Sequence, residues 1–382
     1  MSACRKTSSL FAPFLRAYHS KPLSYSARLS PASPRSRTVS RSGYPFPRAS
    51  LLSSSGFDSV RQFSSIPEGY KVLITGGCGQ LGLAIADNIR SQLGKNSVLL
   101  TDIKEPSESI ISSGPFEYCD VLDQAKLKKI VSDYDIDCII HLSIILSALG
   151  EKNPHLALNV NINGFQNVLD ISKERNIRLM CPSTMGVFGP TSPKTLTPDL
   201  TIMRPNTIYG ITKVHMELMG EYYAQKYNLD FRSLRYPGII SADSLPGGGT
   251  TDYAVDIFHS AISQNSFSCF LKPNARLAMM YLDDCIDATV QLLFAPSEKL
   301  SQKVYNINAM SFTPSELAAE IKSQFSPDFK MSYNPDYRQE IADTWPFSLD
   351  SRKASEDWGF NPKITSVKEL TTKMFNELSN HH

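Results

Sequence analysis

A tyrosine and a lysine stand four residues apart, at Tyr209 and Lys213, in a segment whose composition predicts a helix. Residues at i and i+4 share one helix face, so the two side chains would lie together. A phenol has a pKa of about 10, and a neighbouring ammonium favours the phenolate and lowers that pKa. Tyr209 is therefore a candidate general base, which would take a hydroxyl proton while a hydride leaves the same carbon.

Two hydroxyl residues, Ser183 and Thr184, end a predicted strand at 177–184. Open α/β sheets bind ligands at the carboxyl ends of their strands, so either hydroxyl could orient a substrate oxygen there. The structural alternative is a turn or helix-capping hydroxyl, because Ser and Thr often bond to nearby backbone.

A glycine-rich turn follows the first predicted strand, at 70–75, and opens a predicted helix. Glycines at these spacings permit a tight turn, a close backbone approach to a pyrophosphate and close packing of helix on sheet. The free N–H groups at the helix start would bind the phosphates. The residues of this predicted dinucleotide-binding loop are Gly76, Gly77, Cys78, Gly79, Gln80, Leu81 and Gly82.

An acid, Asp102, ends the second predicted strand, 20 residues after Gly82. A carboxylate there accepts hydrogen bonds from the adenosine ribose and repels the 2′-phosphate of NADP, which predicts NAD as the cofactor. The neighbouring Lys104 could weaken that preference. Further cofactor contacts are expected near the ends of the third and other strands and on the catalytic helix, at Ile103, Lys104, Asp120, Val121, Leu142, Tyr209, Lys213 and Ile239.

Predicted strands alternate with helices from residue 70 to about 240, which indicates an α/β fold with a doubly wound, Rossmann-type parallel sheet. Shorter mixed elements follow. We therefore predict an NAD-binding domain at 64–245 that carries the catalytic residues. A small C-terminal substrate-binding lobe is predicted at 246–382, with some strands and helices returning to the first domain. Thr313 is the expected N-cap of a helix in that lobe.

The first 57 residues contain no Asp or Glu, are rich in Ser and carry nine Arg and Lys. This composition is typical of an organelle transit peptide. We predict a disordered mitochondrial transit peptide at 1–63, cut after Phe63; a plastid address or an untargeted tail are the alternatives. The rest of the chain is mildly acidic, which gives no indication of a nucleic-acid surface.

The glycine loop, Asp102, the hydroxyl after the fifth strand and the Tyr-x-x-x-Lys pair occur in an order that resembles the extended short-chain dehydrogenase/reductase family. The resemblance covers about residues 70–365 and includes a C-terminal signature at 348–362. Register with the family's Ser-x-x-Val-Tyr-Gly pattern implies Thr184 as the catalytic hydroxyl. Phe188 departs from that pattern, since it replaces a tyrosine.

Several stretches, among them 141–154, 181–190, 204–223 and 234–259, resemble the metal-free branch of this family that oxidises L-threonine. The asparagine that holds a nucleotide sugar in other branches is missing at 235–254. The resemblance implies NAD-dependent oxidation of the 3-hydroxyl to L-2-amino-3-oxobutanoate, with possible coupling to a 2-amino-3-ketobutyrate CoA ligase. It also implies a homodimer through two long helices, whose apolar faces carry Leu158, Phe165, Leu218 and Tyr222, residues that could equally be core.

A small zwitterionic substrate requires polar groups in a closed site. The candidates are Ser147, Thr184, Tyr209, Gly248, Thr250 and Thr251, the last three in a glycine-rich loop that could close as a lid. Arg276 and Trp345 are expected to be structural. The seven cysteines and the histidines lack metal-ligand spacing, so no metal site is predicted. A nucleotide-sugar epimerase or dehydratase, or an NAD-binding protein without activity, are the alternative functions.

Overall fold

The computed structural model describes residues 66–243 and 249–380, and the side chains of residues 148 and 380 are outside that description. The predicted transit segment 1–63 and Gly248 therefore lie outside the described residues. Within the described ranges, every helix is too short or too polar to cross a membrane.

The larger sheet contains eight parallel strands: β1 (Val72–Thr75), β2 (Val98–Asp102), β3 (Phe116–Tyr118), β4 (Cys138–His141), β5 (Arg178–Met180), β6 (Ser183–Thr184), β7 (Phe231–Tyr236) and β11 (Val304–Asn306). Their order is β11-β7-β5-β4-β1-β2-β3, with β6 paired to β7. The chain runs outward from β1 to β3 and then returns to the other side of β1 as β4. This reversal opens a crevice at the carboxyl ends of β1 and β4, where such sheets bind ligands.

The central strands are buried on both faces, which explains their nearly continuous apolar sequence. In β1, Val72 and Ile74 pack on one side of the sheet with Ile85 and Ile89 of the first helix. Leu73 points to the other side and joins a second core. The predicted doubly wound parallel sheet is thus confirmed.

Helices cover both faces of this sheet: α1 (Gln80–Leu93), α2 (Glu108–Ser113), α3 (Gln124–Asp133), α4 (Ser147–Lys152), α5 (Pro154–Leu158), α6 (Phe165–Arg175) and α7 (Ile208–Tyr227). The composition of residues 153–176 predicts one long amphipathic helix, and the chain is helical from 154 to 175, with a π-helical segment, Asn159–Gly164, between α5 and α6. In that segment the buried Asn161 bonds to both the N–H and the carbonyl of Ile145.

The composition of residues 231–240 predicts one strand, which the structure divides at Pro237. β7 stays in the larger sheet, whereas β8 (Gly238–Ile240) pairs with β10 (Leu277–Tyr281) in a smaller sheet. Proline has no N–H to donate, so it ends a ladder readily. β12 (Met310–Phe312) completes the smaller sheet in antiparallel pairing with β10, and β9 (Ser266–Cys269) pairs with β13 (Lys330–Tyr333) in a separate two-stranded sheet.

The remaining helices are α8 (Tyr253–Gln264), α9 (Leu282–Phe294), α10 (Pro314–Gln324), α11 (Tyr337–Ala342), α12 (Arg352–Trp358) and α13 (Val367–Asn380). Thr313 caps α10 as predicted, in a capping box with Glu316. One late strand belongs to the larger sheet, and a late helix packs against that strand. β11 is its edge strand beside β7, and Trp358 of α12 packs edge-on against Tyr305 of β11 at 6.0 Å between ring centroids.

Candidate active site

The glycine loop between β1 and α1 has a backbone path that side chains would obstruct. Gly76 has φ +70°, and a Cβ there would lie 2.7 Å from the backbone N of Ser143, which follows β4. A Cβ on Gly82 would lie 2.7 Å from the carbonyl oxygen of Gly77. These two glycines therefore let the loop pass between β4 and the start of α1.

Gly79 is the N-cap of α1 and is exposed, and the nearest atom to a Cβ built there is Gly76 O at 3.4 Å. The first turn of α1 carries no acidic residue. The helix therefore presents its N–H groups and the positive end of its dipole at the crevice, an arrangement that suits a pyrophosphate. Cys78 and Leu81 are half-buried and Gln80 is exposed beside this opening. The loop thus fits a dinucleotide.

Asp102 is the last residue of β2, as predicted, and its side chain organises the loop. One carboxylate oxygen accepts the backbone N–H of Cys78 at 3.0 Å, and the other accepts that of Lys104 at 3.0 Å. Ile103 is 58 % exposed beside it. A carboxylate held at this strand end has further lone pairs for ribose hydroxyls.

The other predicted cofactor residues lie near the same edge, with one correction. β3 ends at Tyr118, so Asp120 and Val121 occupy the turn that follows it rather than the strand itself. The Asp120 carboxylate accepts from Leu122 N at 2.9 Å, and this turn stops the strand early. Leu142 follows β4 with its N–H bonded to Thr75 O, and Ile239 is a half-buried residue of β8.

Thr184 lies beside Tyr209 at the carboxyl edge of the sheet, where its hydroxyl acts to lower the pKa of the phenol. Thr184 Oγ1 accepts the backbone N–H of Gly186 at 3.0 Å, so its own proton is free to be donated to the phenolic oxygen. Burial raises the pKa of Tyr209 to about 12, and the Thr184 hydrogen bond acts in the opposite direction. The ionisation of the Tyr209 phenol therefore depends on the Thr184 hydroxyl as well as on burial.

Lys213 lies on the same face of α7, but its buried ammonium donates to the carbonyl oxygen of Pro182. Its Nζ is 6.0 Å from the centroid of the Tyr209 ring. Burial lowers the pKa of Lys213 to about 8, while Cys181 and Glu217 act to raise it. In this structure burial is the largest influence on the pKa of Tyr209 and Thr184 is the group that opposes it, so the effect expected of Lys213 stays a prediction.

A buried network beneath these residues was not predicted. Glu217 of α7 accepts the hydroxyl of Ser183, and it pairs with Arg235 of β7 through bonds of 2.9 and 2.8 Å. The available signal was an acid on the same helix face, four residues after Lys213. Its partners were not visible in the sequence, since they belong to other strands.

A second unpredicted group lies behind Lys213. His141, at the end of β4, bonds to Thr75 through Nδ1 at 2.8 Å, and burial together with the Lys213 charge lowers its pKa to about 3. The imidazole is therefore neutral. A cavity of about 10 Å³ between His141, Asn161 and Lys213 has room for about one water molecule.

The predicted substrate residues come from separate elements. Ser147 is the half-buried first residue of α4, which packs on the start of α7 and bonds to it through Glu151 and the N–H of Ile208 at 2.8 Å. Thr250 is buried, and the methyl group of Thr251 faces Gly238 at the start of β8.

Arg276 and Trp345 were expected to have structural roles, and both contact neighbouring parts of the fold. Arg276 donates to the carbonyl of Ser311 at 2.9 Å and pairs with Glu316. Trp345 is buried, and its ring lies 3.7 Å from the position that a Cβ on Gly186 would occupy. Trp345 therefore also borders the turn that follows Thr184. Among the described residues, no group of three or more His, Cys, Asp or Glu side chains could hold a metal ion.

Residues 72–308 match the model of the NAD dependent epimerase/dehydratase family, which spans the sheet, the glycine loop and the Tyr209 helix. The chain therefore belongs to this family, whose cofactor is NAD.

Similar proteins indicate which members of this family the chain most resembles. The mitochondrial L-threonine 3-dehydrogenase of Bos taurus is 55 % identical over 80 % of this chain and 82 % of its own length. The solved structure of L-threonine dehydrogenase from Phytophthora infestans is 47 % identical with a TM-score of 0.79, over 82 % of this chain and all (100 %) of that one. The holo form of a threonine dehydrogenase from Cupriavidus necator is 40 % identical with a TM-score of 0.77, over 82 % of this chain and 100 % of that one.

Proposed function

We propose that this chain is an NAD-dependent L-threonine 3-dehydrogenase, which oxidises the 3-hydroxyl to give L-2-amino-3-oxobutanoate. The observation that carries the proposal is the position of the Thr184 hydroxyl beside the buried Tyr209 phenol at the crevice edge, together with a glycine loop and a strand-end acid. The similarity to L-threonine 3-dehydrogenases supports the choice of substrate.

The proposed roles of the catalytic residues follow from their contacts. Thr184 would orient the 3-oxygen of the substrate, since its hydroxyl already has one fixed donor in Gly186 N. Tyr209 would act as the general base and accept the proton of the substrate's 3-hydroxyl. Lys213 supplies a buried positive charge on the same face, which favours the phenolate when the phenol loses its proton.

The cofactor would be held by the residues of the crevice. Gly76 and Gly82 let the loop pass close to neighbouring backbone, Gly79 leaves space for the pyrophosphate, and Asp102 would accept the ribose hydroxyls. Bound NAD⁺ supplies the hydride acceptor and a positive ring charge near the site. The further contacts are proposed at Gly77, Cys78, Gln80, Leu81, Ile103, Lys104, Asp120, Val121, Leu142 and Ile239, together with Tyr209 and Lys213.

The ammonium and carboxylate of threonine would be bound by residues that converge on the start of α7 and on β8. The proposal assigns them to Ser147 and to the loop residues Gly248, Thr250 and Thr251. The support is positional: α4 is tied to the first residue of α7, and Thr251 contacts the strand that follows β7.

The setting of the enzyme is proposed from the sequence and its relatives. An acid-free N-terminus and relatives named as mitochondrial support import into the matrix with removal of residues 1–63. We further propose that the protein forms a homodimer. A 2-amino-3-ketobutyrate CoA ligase would use its product.

The test is a spectrophotometric assay of residues 64–382 with L-threonine and NAD⁺. We expect NADH formation with this pair, and much less with L-allo-threonine, L-serine or NADP⁺. If NAD binds but no alcohol among these is oxidised, the proposal is wrong. A uridine nucleotide that then binds tightly would favour a sugar-nucleotide enzyme instead.

A further inference from the structure

Three consecutive residues, Pro182 and the two residues of β6, face three residues spaced four apart on α7. Pro182 O accepts from Lys213, Ser183 donates to Glu217, and the Thr184 hydroxyl lies beside Tyr209 and acts on its pKa. Positions i, i+4 and i+8 of a helix lie along one face, so this face meets residues 182–184 at three successive points. Two of these points involve the proposed catalytic pair, and Glu217 is the third.

Glu217 is itself held firmly. Its side chain is 1 % exposed, and its partner Arg235 is 4 % exposed. Arg235 also donates to Asp199 O at 2.7 Å and to Asn306 Oδ1 at 3.2 Å, and its guanidinium lies over the Phe188 ring at 5.1 Å. Arg235 and Ser183 are register partners on β7 and β6. The ion pair thus joins two strands and a helix directly beneath the site.

We infer that Glu217 is a positioning residue of the active site: through Ser183 and Arg235 it fixes residues 182–184 against the helix that carries Tyr209 and Lys213. The inference rests on the proposed function in so far as Tyr209 and Thr184 act on the substrate. A shift of residues 182–184 along α7 would change the position of Thr184 beside Tyr209 and the Lys213–Pro182 bond together.

The charge of Glu217 has a second consequence at Lys213. The pKa of the neighbouring Cys181 thiol is raised by burial, so the thiol is neutral near pH 7. The Glu217 carboxylate is then the negative charge that acts on the buried ammonium of Lys213. Removing it leaves Lys213 and Arg235 with less compensation in a region of low dielectric.

The test uses the full-length protein and single-turnover measurements of NADH formation. Ser183→Ala breaks the link to the strand and keeps the ion pair, whereas Glu217→Gln removes the charge. Glu221→Gln is the matched control, because Glu221 is a half-buried acid one turn further along α7. The rate constant reports alignment, and the amplitude reports the fraction of competent enzyme.

Misplacement of reacting groups by about 1 Å can cost about 100-fold in rate. We expect the single-turnover rate constant to fall about tenfold or more in Glu217→Gln and about fivefold in Ser183→Ala, with KM for threonine within about threefold of wild type. Glu221→Gln should keep the wild-type rate constant. Hydrogen exchange at 182–188 should rise in both site variants.

A lower amplitude with an unchanged rate constant would overturn the inference, because it would show loss of folded enzyme alone. If Glu217→Gln does not fold, Ser183→Ala decides by the same criteria. If the wild-type protein has no threonine turnover, the proposed function fails separately, and exchange at 182–188 still decides: unchanged exchange in Ser183→Ala would contradict the role of Glu217.

Discussion

At Tyr209, burial and a hydrogen bond act on the phenol in opposite directions. Burial raises the pKa to about 12, and the hydroxyl of Thr184 lowers it. A base with so high a pKa is mostly protonated near pH 7, so the reaction needs further stabilisation of the phenolate. We therefore expect other groups of the site, besides Lys213, to stabilise the phenolate of Tyr209 when it loses its proton.

Tyr209→Phe removes the phenolic oxygen and keeps the ring. We expect kcat to fall at least about 10²–10⁴-fold, because that is the usual contribution of general acid–base catalysis. NAD affinity, measured by fluorescence titration, should stay within about threefold, since the glycine loop and Asp102 are untouched. Phe188→Tyr, which restores the family's usual residue, is the control and should keep most of the activity. Turnover that persists in Tyr209→Phe would contradict the proposed base.

The residues of the cofactor loop were predictable because their signal is local. Gly76, Gly79, Gly82 and Asp102 lie at fixed distances along the chain around one strand–helix–strand unit. The Ser183–Glu217–Arg235 network was not predictable from the sequence, because its members are up to 52 residues apart and meet only when β6, β7 and α7 pack. Sequence spacing carries information about neighbours on one element, and much less about contacts between elements.

At the scale of elements, one acidic residue joins β5, β7 and α9. Asp230 bonds to Arg178 at 2.8 Å and to Arg232 at 2.8 Å. The fully buried Arg232 also donates to the carbonyls of Leu292 and Ala295 at the end of α9. Burial alone would raise the pKa of Asp230, but Arg232 and Arg178 lower it to about 2.

A carboxyl group whose pKa is lower in the folded state stabilises the fold above its unfolded pKa of about 4, and this contribution is lost as the pH falls towards 2. We expect Asp230→Asn to lower the free energy of unfolding by about 2 kcal/mol at pH 7 and by much less near pH 2. Urea titrations at several pH values measure this difference. The control is Asp287→Asn, which breaks the exposed pair with Lys363 and should cost about 0–1 kcal/mol. Equal losses in both variants would contradict the prediction.

Elements with strong periodicity or clear caps were found from the sequence, and those without were not. The sequence of residues 282–294 predicts a helix, and α9 has this span; α10 starts after its predicted cap, Thr313. β10, β12 and the β9–β13 pair were not identified, since short strands depend on partners that are distant in the chain. Pro237 separates two sheets, although the residues on both sides of it have strand composition.

On the whole molecule, the apolar residues proposed for a dimer contact divide into two groups. Phe165 is buried and packs near His141, with ring centroids 5.9 Å apart, so it belongs to the core. Leu218 and Tyr222 of α7 are 53 % and 48 % exposed. Leu158 belongs to neither group, because its side chain is half-buried. Leu218 and Tyr222 are therefore the exposed members of the proposed contact, and they lie on the helix that carries the proposed catalytic pair.

If this face forms the proposed homodimer, Leu218→Glu should convert the protein to a monomer at micromolar concentration, since a charge would be placed in an apolar contact. Sedimentation velocity measures the mass. Leu200→Glu is the matched control, because Leu200 is 85 % exposed in a loop and should leave the dimer intact. A wild-type monomer, or a Leu218→Glu dimer, would rule out this contact.

The pairing of β11 with β7 has a consequence for biosynthesis. The strand that covers the edge of β7 comes about 70 residues later in the chain, so at about 5–20 residues per second that edge stays open for several seconds. An open strand edge can pair with other chains. The growing polypeptide therefore needs protection, for example by chaperones, until Val304–Asn306 has been made, and a message truncated before that point should yield an insoluble product.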